Sequence, residues 1–248
     1  AYPALDAAIE AAVPVAKEFG IATMAIQNSH HCGALSIQVD RLAREGLITL
    51  MFANTPKAMA PWGARDPFFG TNPIAFAAPR EGADPLVIDL SLSKVARGKI
   101  MHAKKSGQPI PEGWAIDADG NPTTDPVAAL GGSMLPIGDA KGSALALIVE
   151  IMASALTGGT PSQTASSFLS ADGPAPAVGQ FLIAIKPDDY RAGFVQRIEA
   201  LLTAIAVMDG ARLPGTRRLS AKQDARENGL KVSPEDLEKV RAGAGIGE

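Results

Sequence analysis

Three groups of residues in this chain are of types that do chemistry. The first is Asn28-Ser29-His30-His31-Cys32-Gly33, a polar stretch directly after the apolar run 21–26. An imidazole at such a place either exchanges a proton with a substrate oxygen near neutral pH or caps the turn by hydrogen bonding, and position alone leaves both open. Cys32 is a nucleophile or a small buried hydrophobe; the second is the commoner use of a lone Cys at a helix start and is the expectation. The second group is Asp89-Leu90-Ser91-Leu92-Ser93, which joins an apolar run to a helical pattern. Free backbone N–H groups and the helix dipole favour an anion there, although Ser at a helix start also serves as a plain cap. The third is the loop 138–142, where glycines let the backbone approach a ligand and Lys141 adds a point charge. A loop over 54–73, with Trp62, Phe68 and Phe69, is long enough to be functional, or it packs on its own aromatics.

The elements that position these groups follow from periodicity. Leu5, Ile9, Val13 and Ala16 recur at helical spacing over 3–19, Gly20 supplies the stop, and Pro14 predicts a kink. The stretch 21–26 predicts a strand, 34–45 a helix and 47–53 a second buried strand, the strand–turn–helix–strand unit of α/β proteins. Strands are predicted at 74–78, 86–90 and 180–185. Helices are predicted at 93–105, 125–130, 143–157 and 189–208, and a last one opens at Ser233-Pro234-Glu235-Asp236. The 143–157 segment is apolar almost all round and predicts a buried helix. Residues 158–179 are rich in Gly, Ser, Thr and Pro without periodicity and predict a flexible surface segment.

Composition narrows the classes. Over 248 residues the net charge is −3, with only short basic clusters, which argues against nucleic acid as the principal partner. No apolar run reaches the roughly 18 residues of a membrane span, and no signal peptide opens the sequence. A single cysteine makes no internal disulfide and fits a reducing cytoplasm. Neither a P-loop nor a G-x-G-x-x-G after a strand occurs, and the glycine-rich tail 243–247 reads as a frayed terminus. Three histidines, two of them adjacent, do not give metal spacing, so no metal is expected.

Six segments in order carry a resemblance. Asn28 to Gly33, Ala60-Pro61-Trp62-Gly63, Gly70-Thr71-Asn72-Pro73-Ile74-Ala75-Phe76-Ala77, Asp89 through Ala96-Arg97-Gly98-Lys99, Pro122-Thr123-Thr124-Asp125-Pro126 and the 138–142 loop together resemble the malate/L-lactate dehydrogenase family that is distinct from Rossmann-type enzymes. That family includes sulfolactate, ureidoglycolate and diketogulonate oxidoreductases and cyclic-imine carboxylate reductases. The resemblance implies an α/β fold with a mixed sheet flanked by helices, a non-Rossmann nicotinamide-binding architecture of the L-sulfolactate dehydrogenase kind. It implies an NAD- or NADP-dependent oxidoreductase moving a hydride to or from C2 of a small 2-oxo or 2-hydroxy acid, and a homodimer. It places the catalytic histidine at His31 and cofactor contacts at Thr55, Asp89, Leu90, Ser91, Lys141, Gly215, Thr216 and Arg217. It divides the chain into a cofactor-binding domain at 1–155 and a C-terminal region at 156–248. The latter would pack with a further N-terminal segment bearing a Ser-His-Gly motif, absent here. Cys32 stands where the family usually has an aromatic residue. Two other readings stand beside this one: reduction of cyclic imine carboxylates, and a binding or assembly module without catalysis.

Overall fold

The computed structural model describes residues 1–245. By contacts the chain divides into two compact units, Ala1–Thr203 and Ala204–Glu248. In the first, α1 (Tyr2–Phe19) leads to β1 (Ile21–Ser29), α2 (Leu35–Arg44), β2 (Ile48–Ala53), β3 (Ile74–Ala78) and β4 (Leu86–Leu90). Then come α3 (Arg97–Ser106), β5 (Ala115–Ile116), α4 (Pro126–Gly131), β6 (Ser133–Met134) and α5 (Ala140–Glu150). α5 runs on as a π-helical turn, Ile151–Ala155, before β7 (Val178–Ile185) and α6 (Phe194–Ala206). The second unit holds α7 (Thr216–Asn228) and α8 (Pro234–Gly243), neither of which buries a residue. α8 opens as its sequence predicts, with Ser233 accepting from the Asp236 N–H. Of the glycine-rich tail, Ile246 and Gly247 lie outside the described residues.

The sheet order is β1-β7-β2-β3-β4. The resemblance implies a mixed sheet flanked by helices; the helices flank the sheet as expected, and every ladder in it is antiparallel. The reason is β7. β1 and β2, joined through α2, run parallel to each other as a β-α-β unit does, and β7 inserts between them antiparallel to both. Position 155 therefore falls inside the first unit, whose sheet needs a strand from beyond it.

Alternation gives the sheet two apolar faces. Met51, Ala53, Ala75, Val87 and Leu182 face α1 and α2. Phe52 and Phe181 face the layer of α3, α4 and α5. On α1 the stripe Leu5, Ile9, Ala12 and Ala16 is buried. Each fully buried large side chain of this kind contributes about 1.5–3 kcal/mol relative to exposure. The helix continues through Pro14. Pro14 and Glu10 lie on the exposed side, so the carbonyl whose N–H partner the proline lacks is open to solvent.

Two expectations are corrected here. α5 with its π-helical turn is not buried all round: Leu145, Leu147, Ile148, Ile151 and Leu156 are exposed, while Ala146, Val149 and Ala153 pack inward. An apolar helix signals only that it needs a partner surface, and the sheet covers one side of it. Residues 158–179 are not a loose surface segment at their stem. The Thr160 N–H donates to Ala177 O at 2.8 Å, and the Lys57 N–H donates to Ser162 O at 2.9 Å.

Candidate active site

The antiparallel order brings the chemically suggestive segments to one end of the sheet. β1, β2 and β4 all end there, handing on to His30 and His31, to Asn54 and Thr55, and to Ser91. β3 and β7 begin there, Ser29 opposite Val178, Ala53 opposite Gln180 and Ile74 opposite Leu90. Strand ends with their following loops are where folds of this class place chemistry.

A cavity of about 490 Å³ opens at this end, lined among others by His31, Thr55, Lys57, Thr71, Arg97, Met101 and Phe168. A second space of about 170 Å³ adjoins it, with His30, Asn54 and Gln180 in its wall and His31, Thr55, Thr71 and Phe168 shared. The larger volume lies within the usual range for small-molecule sites. Gly70 holds the two threonines together: a Cβ there would collide with Thr55 O, so the backbones approach as closely as glycine permits. The Thr71 N–H donates to Thr55 Oγ1 at 3.0 Å, and the two hydroxyls lie 3.4 Å apart.

His31 is exposed and accepts at Nδ1 from the Gly33 N–H at 3.1 Å. Gly33 makes that turn with φ +70°, and the Tyr2 hydroxyl occupies the place of its missing Cβ. Cys32 is buried in the α1/α2 core as expected, and burial foremost pushes its thiol up to about 11, with the nearby Asp89 charge adding to it. Gln180 is almost fully buried; its amide N–H donates to His30 O at 3.3 Å and its Oε1 has no partner.

The predicted cofactor contacts are only partly brought together. Thr55 lines both spaces. Asp89 sits against the histidine turn, its Oδ2 accepting from the Ser36 N–H in the first turn of α2 at 2.8 Å. Leu90 is exposed, and Ser91 Oγ accepts from Ser93 at 3.3 Å. Lys141 begins α5, exposed; the preceding turn is tied to the β4 exit by Ile137 N–H to Leu92 O at 2.8 Å and by the Lys94–Asp139 pair at 3.2 Å. None of Asp89, Leu90, Ser91 and Lys141 is among the residues lining the His31 cavity. Gly215, Thr216 and Arg217 belong to the second unit, where Gly215, at φ +85°, is the N-cap of α7.

Arg97 is a candidate that the sequence reading leaves out of the site. It is the first residue of α3, where the helix dipole disfavours a cation, and that broken local rule is the signal the sequence offers. Its Nε is buried without a partner, and burial pulls the guanidinium below its ordinary value. A half-buried guanidinium with a spare donor, beside Lys57, suits an anionic ligand.

A buried carboxylate fixes the surrounding loops. Glu150 accepts at Oε1 from the Ser162 N–H at 2.6 Å, and at Oε2 from the Ser162 hydroxyl at 2.7 Å and Asn72 Nδ2 at 3.0 Å. Asn72, fully buried at φ +37°, also donates to Ala146 O at 3.1 Å. Asn54 completes the frame, donating to Thr160 O at 2.8 Å and accepting from the Gly179 N–H at 2.9 Å. Among the described residues, no three His, Cys, Asp or Glu side chains stand together as a metal site, and no helix is long and apolar enough to cross a membrane.

The family model for malate/L-lactate dehydrogenase matches residues 1–241. A (2R)-3-sulfolactate dehydrogenase (NADP(+)) of Chromohalobacter salexigens is 52% identical over 242 residues, 98% of this chain and 72% of that protein. A Delta(1)-pyrroline-2-carboxylate/Delta(1)-piperideine-2-carboxylate reductase of Pseudomonas putida is 44% identical, over 97% of this chain and 71% of its own length. The crystal structure of a delta1-piperideine-2-carboxylate reductase from Pseudomonas syringae pvar. tomato superposes with a TM-score of 0.91 at 41% identity, covering 98% of this chain and 74% of that one.

Proposed function

The chain belongs to the malate/L-lactate dehydrogenase family, and from that premise we propose that its His31 pocket converts small 2-oxo acids and 2-hydroxy acids into one another at C2. The observation that carries this reading is the convergence of His31, Thr55, Thr71 and the half-buried Arg97 on one cavity at the sheet end. Thr55 and Thr71 hydroxyls and the Arg97 donor fit the carboxamide and anionic groups of a nicotinamide dinucleotide and its acid substrate. When bound, the nicotinamide supplies or takes up the hydride. NADP is the cofactor in the name of the sulfolactate relative. We assign cofactor holding mainly to residues 1–155, through Thr55, Asp89, Leu90, Ser91 and Lys141. Gly215, Thr216 and Arg217 form a further proposed contact carried by the second unit.

His31 is the proton-transfer residue of this reading. In reduction its imidazolium gives the Nε2 proton to the oxygen at C2; in oxidation the ring takes that proton back. Arg97 holds the substrate carboxylate. Lys57, in the same wall, provides a second cation. Two cations favour an acid with two anionic groups, such as 3-sulfolactate or malate, over a cyclic imine with one. The Pseudomonas relatives keep the imine carboxylates as the second reading.

NADPH fluorescence titration, followed by a panel of 3-sulfopyruvate, oxaloacetate, pyruvate and Δ1-piperideine-2-carboxylate, tests the assignment. Cofactor binding with fastest turnover of a dianionic 2-oxo acid is expected. Preference for the imine selects the second reading, and absence of cofactor binding leaves a non-catalytic assembly module.

The exposed apolar face of α5 supports a homodimer. Ile148 and Ile151 are 47% and 50% exposed one turn apart, with Leu147 and Leu156 beside them. A contiguous apolar face of this kind marks an association surface. The unpaired Cys32 supports a reducing compartment such as the cytoplasm.

A further inference from the structure

The stretch between the π-helical turn and β7 carries a ring that touches both histidines. The Phe168 centroid lies 5.0 Å from that of His30, tilted by 34°, and 5.4 Å from that of His31, edge-on at 90°. Its two ends are fastened differently. The stem at 160–162 is tied to the body by Asn54, Lys57 and the buried Glu150. At the tip, the hydrogen bonds of Thr164, Leu169 and Ser170 stay within the segment. The half-buried Phe168 ring sets the tip against the imidazoles.

That ring also stands where the two spaces meet. It lines the 490 Å³ cavity bounded by Lys57, Arg97 and Met101 and the 170 Å³ space bounded by His30 and Gln180, and His31 faces both. We infer that Phe168 is a specificity-determining wall of the His31 cavity, limiting the size of the substituent at C3 of a 2-oxo acid; this rests on the proposed reading of that cavity as the reaction site. The pinned stem keeps the strap from collapsing inward when the ring is shortened, so truncation opens space and joins the two lobes beside His31. A small acid then loses an apolar wall, and a bulky one gains room. Discrimination built on apolar contact of this kind is worth on the order of 10–200-fold.

The experiment compares the wild-type chain, Phe168→Leu and Phe168→Ala in NADPH-dependent reduction of pyruvate and phenylpyruvate. In Phe168→Ala, kcat/KM for pyruvate is expected to fall roughly tenfold and that for phenylpyruvate to rise, moving their ratio by about 30-fold or more. Phe168→Leu should fall between, and the Kd for NADPH should stay within about twofold. An equal fall for both acids, or an unmoved ratio, overturns the assignment. A wild-type chain that turns over neither these acids nor 3-sulfopyruvate and oxaloacetate overturns the underlying reading as well, and the two failures are thereby separated; one that turns over only the dianions with Phe168→Ala unable to admit phenylpyruvate overturns the assignment alone. A ligand-independent measurement accompanies this: the His31 Hε1 resonance must shift in Phe168→Ala, because the aromatic ring is lost from beside it. An unshifted resonance overturns the proposal.

Discussion

The Gly33 N–H donates to Nδ1 of His31 at 3.1 Å. An imidazole that accepts at Nδ1 carries its proton, when neutral, on Nε2. In that form His31 offers a hydrogen bond to a carbonyl oxygen; proton delivery additionally needs the imidazolium, whose Nδ1–H no longer suits Gly33. Two substitutions separate the roles. His31→Ala removes both, and His31→Gln keeps a side-chain donor without an exchangeable acid. Both are expected to lower kcat by about 10²–10⁴ with the NADPH Kd unchanged, as loss of a general acid does. Near-full turnover of His31→Gln in steady-state kinetics would reassign His31 to polarising the carbonyl.

Arg97 lines the cavity with a half-buried guanidinium. A hydrogen bond between charged partners at such a site is worth about 1.5–3 kcal/mol. Arg97→Met should therefore raise KM for a 2-oxo acid roughly 10–100-fold with a smaller change in kcat. Arg97→Lys should recover part of that loss, because Lys keeps the charge without the planar fork. An unchanged KM in Arg97→Met would remove the guanidinium from substrate binding.

The sequence makes these two residues unequally legible. His31 stands out by type and place, after an apolar run and before a helical pattern. Arg97 shows itself only once α3 is known to start there, because only then is a cation at the positive end of a dipole out of place. The five strands of the main sheet and α1 are legible because their apolar patterns are local, whereas the two-residue strands β5 and β6 are too short to show one. The place of β7 between β1 and β2 is not, since strand pairing across more than 120 residues leaves no trace in either segment. The stem of the 158–179 segment escapes for a related reason: its order comes from Glu150 and Asn54, outside its own composition.

Glu150 holds two loops at once through Asn72 and Ser162. Glu150→Ala leaves the buried Asn72 amide and the Ser162 N–H short of an acceptor, at about 1–3 kcal/mol for each unsatisfied group. A loss of roughly 2–4 kcal/mol overall lowers Tm by about 5–12 °C for a unit of this size. Calorimetry reads the shift, and limited proteolysis within 163–172 should accelerate alongside it. A Tm within about 1 °C of the wild type would show that the clamp adds nothing.

Burial raises the Cys32 thiol from an ordinary 9.0 to about 11. Between those values the unfolded chain has released the proton and the folded chain still holds it. The unfolded state then binds fewer protons, so stability falls as pH rises through that window, by about 2–3 kcal/mol at most. Denaturant unfolding at pH 8 and pH 10.5 should show the decline, and Cys32→Ala should flatten that part of it. Native Cys32 should also resist iodoacetamide at pH 8, since the thiolate is the reacting form. Rapid alkylation of the folded chain would contradict the burial.

The apolar face of α5 gives the proposed dimer a direct test. Ile148 and Ile151 project from the side of the helix that the sheet leaves open, whereas Val149 and Ala153 hold the helix to the core. Charges at exposed positions cost the fold little, yet they place desolvated ions in any interface built on them. Ile148→Asp with Ile151→Lys leaves net charge unchanged and should convert a dimer to monomer in sedimentation velocity at micromolar concentration, with Tm lowered only by loss of the partner. If the double variant sediments as the wild type does, the subunits meet elsewhere. If the wild type is itself monomeric, this face has some other cover.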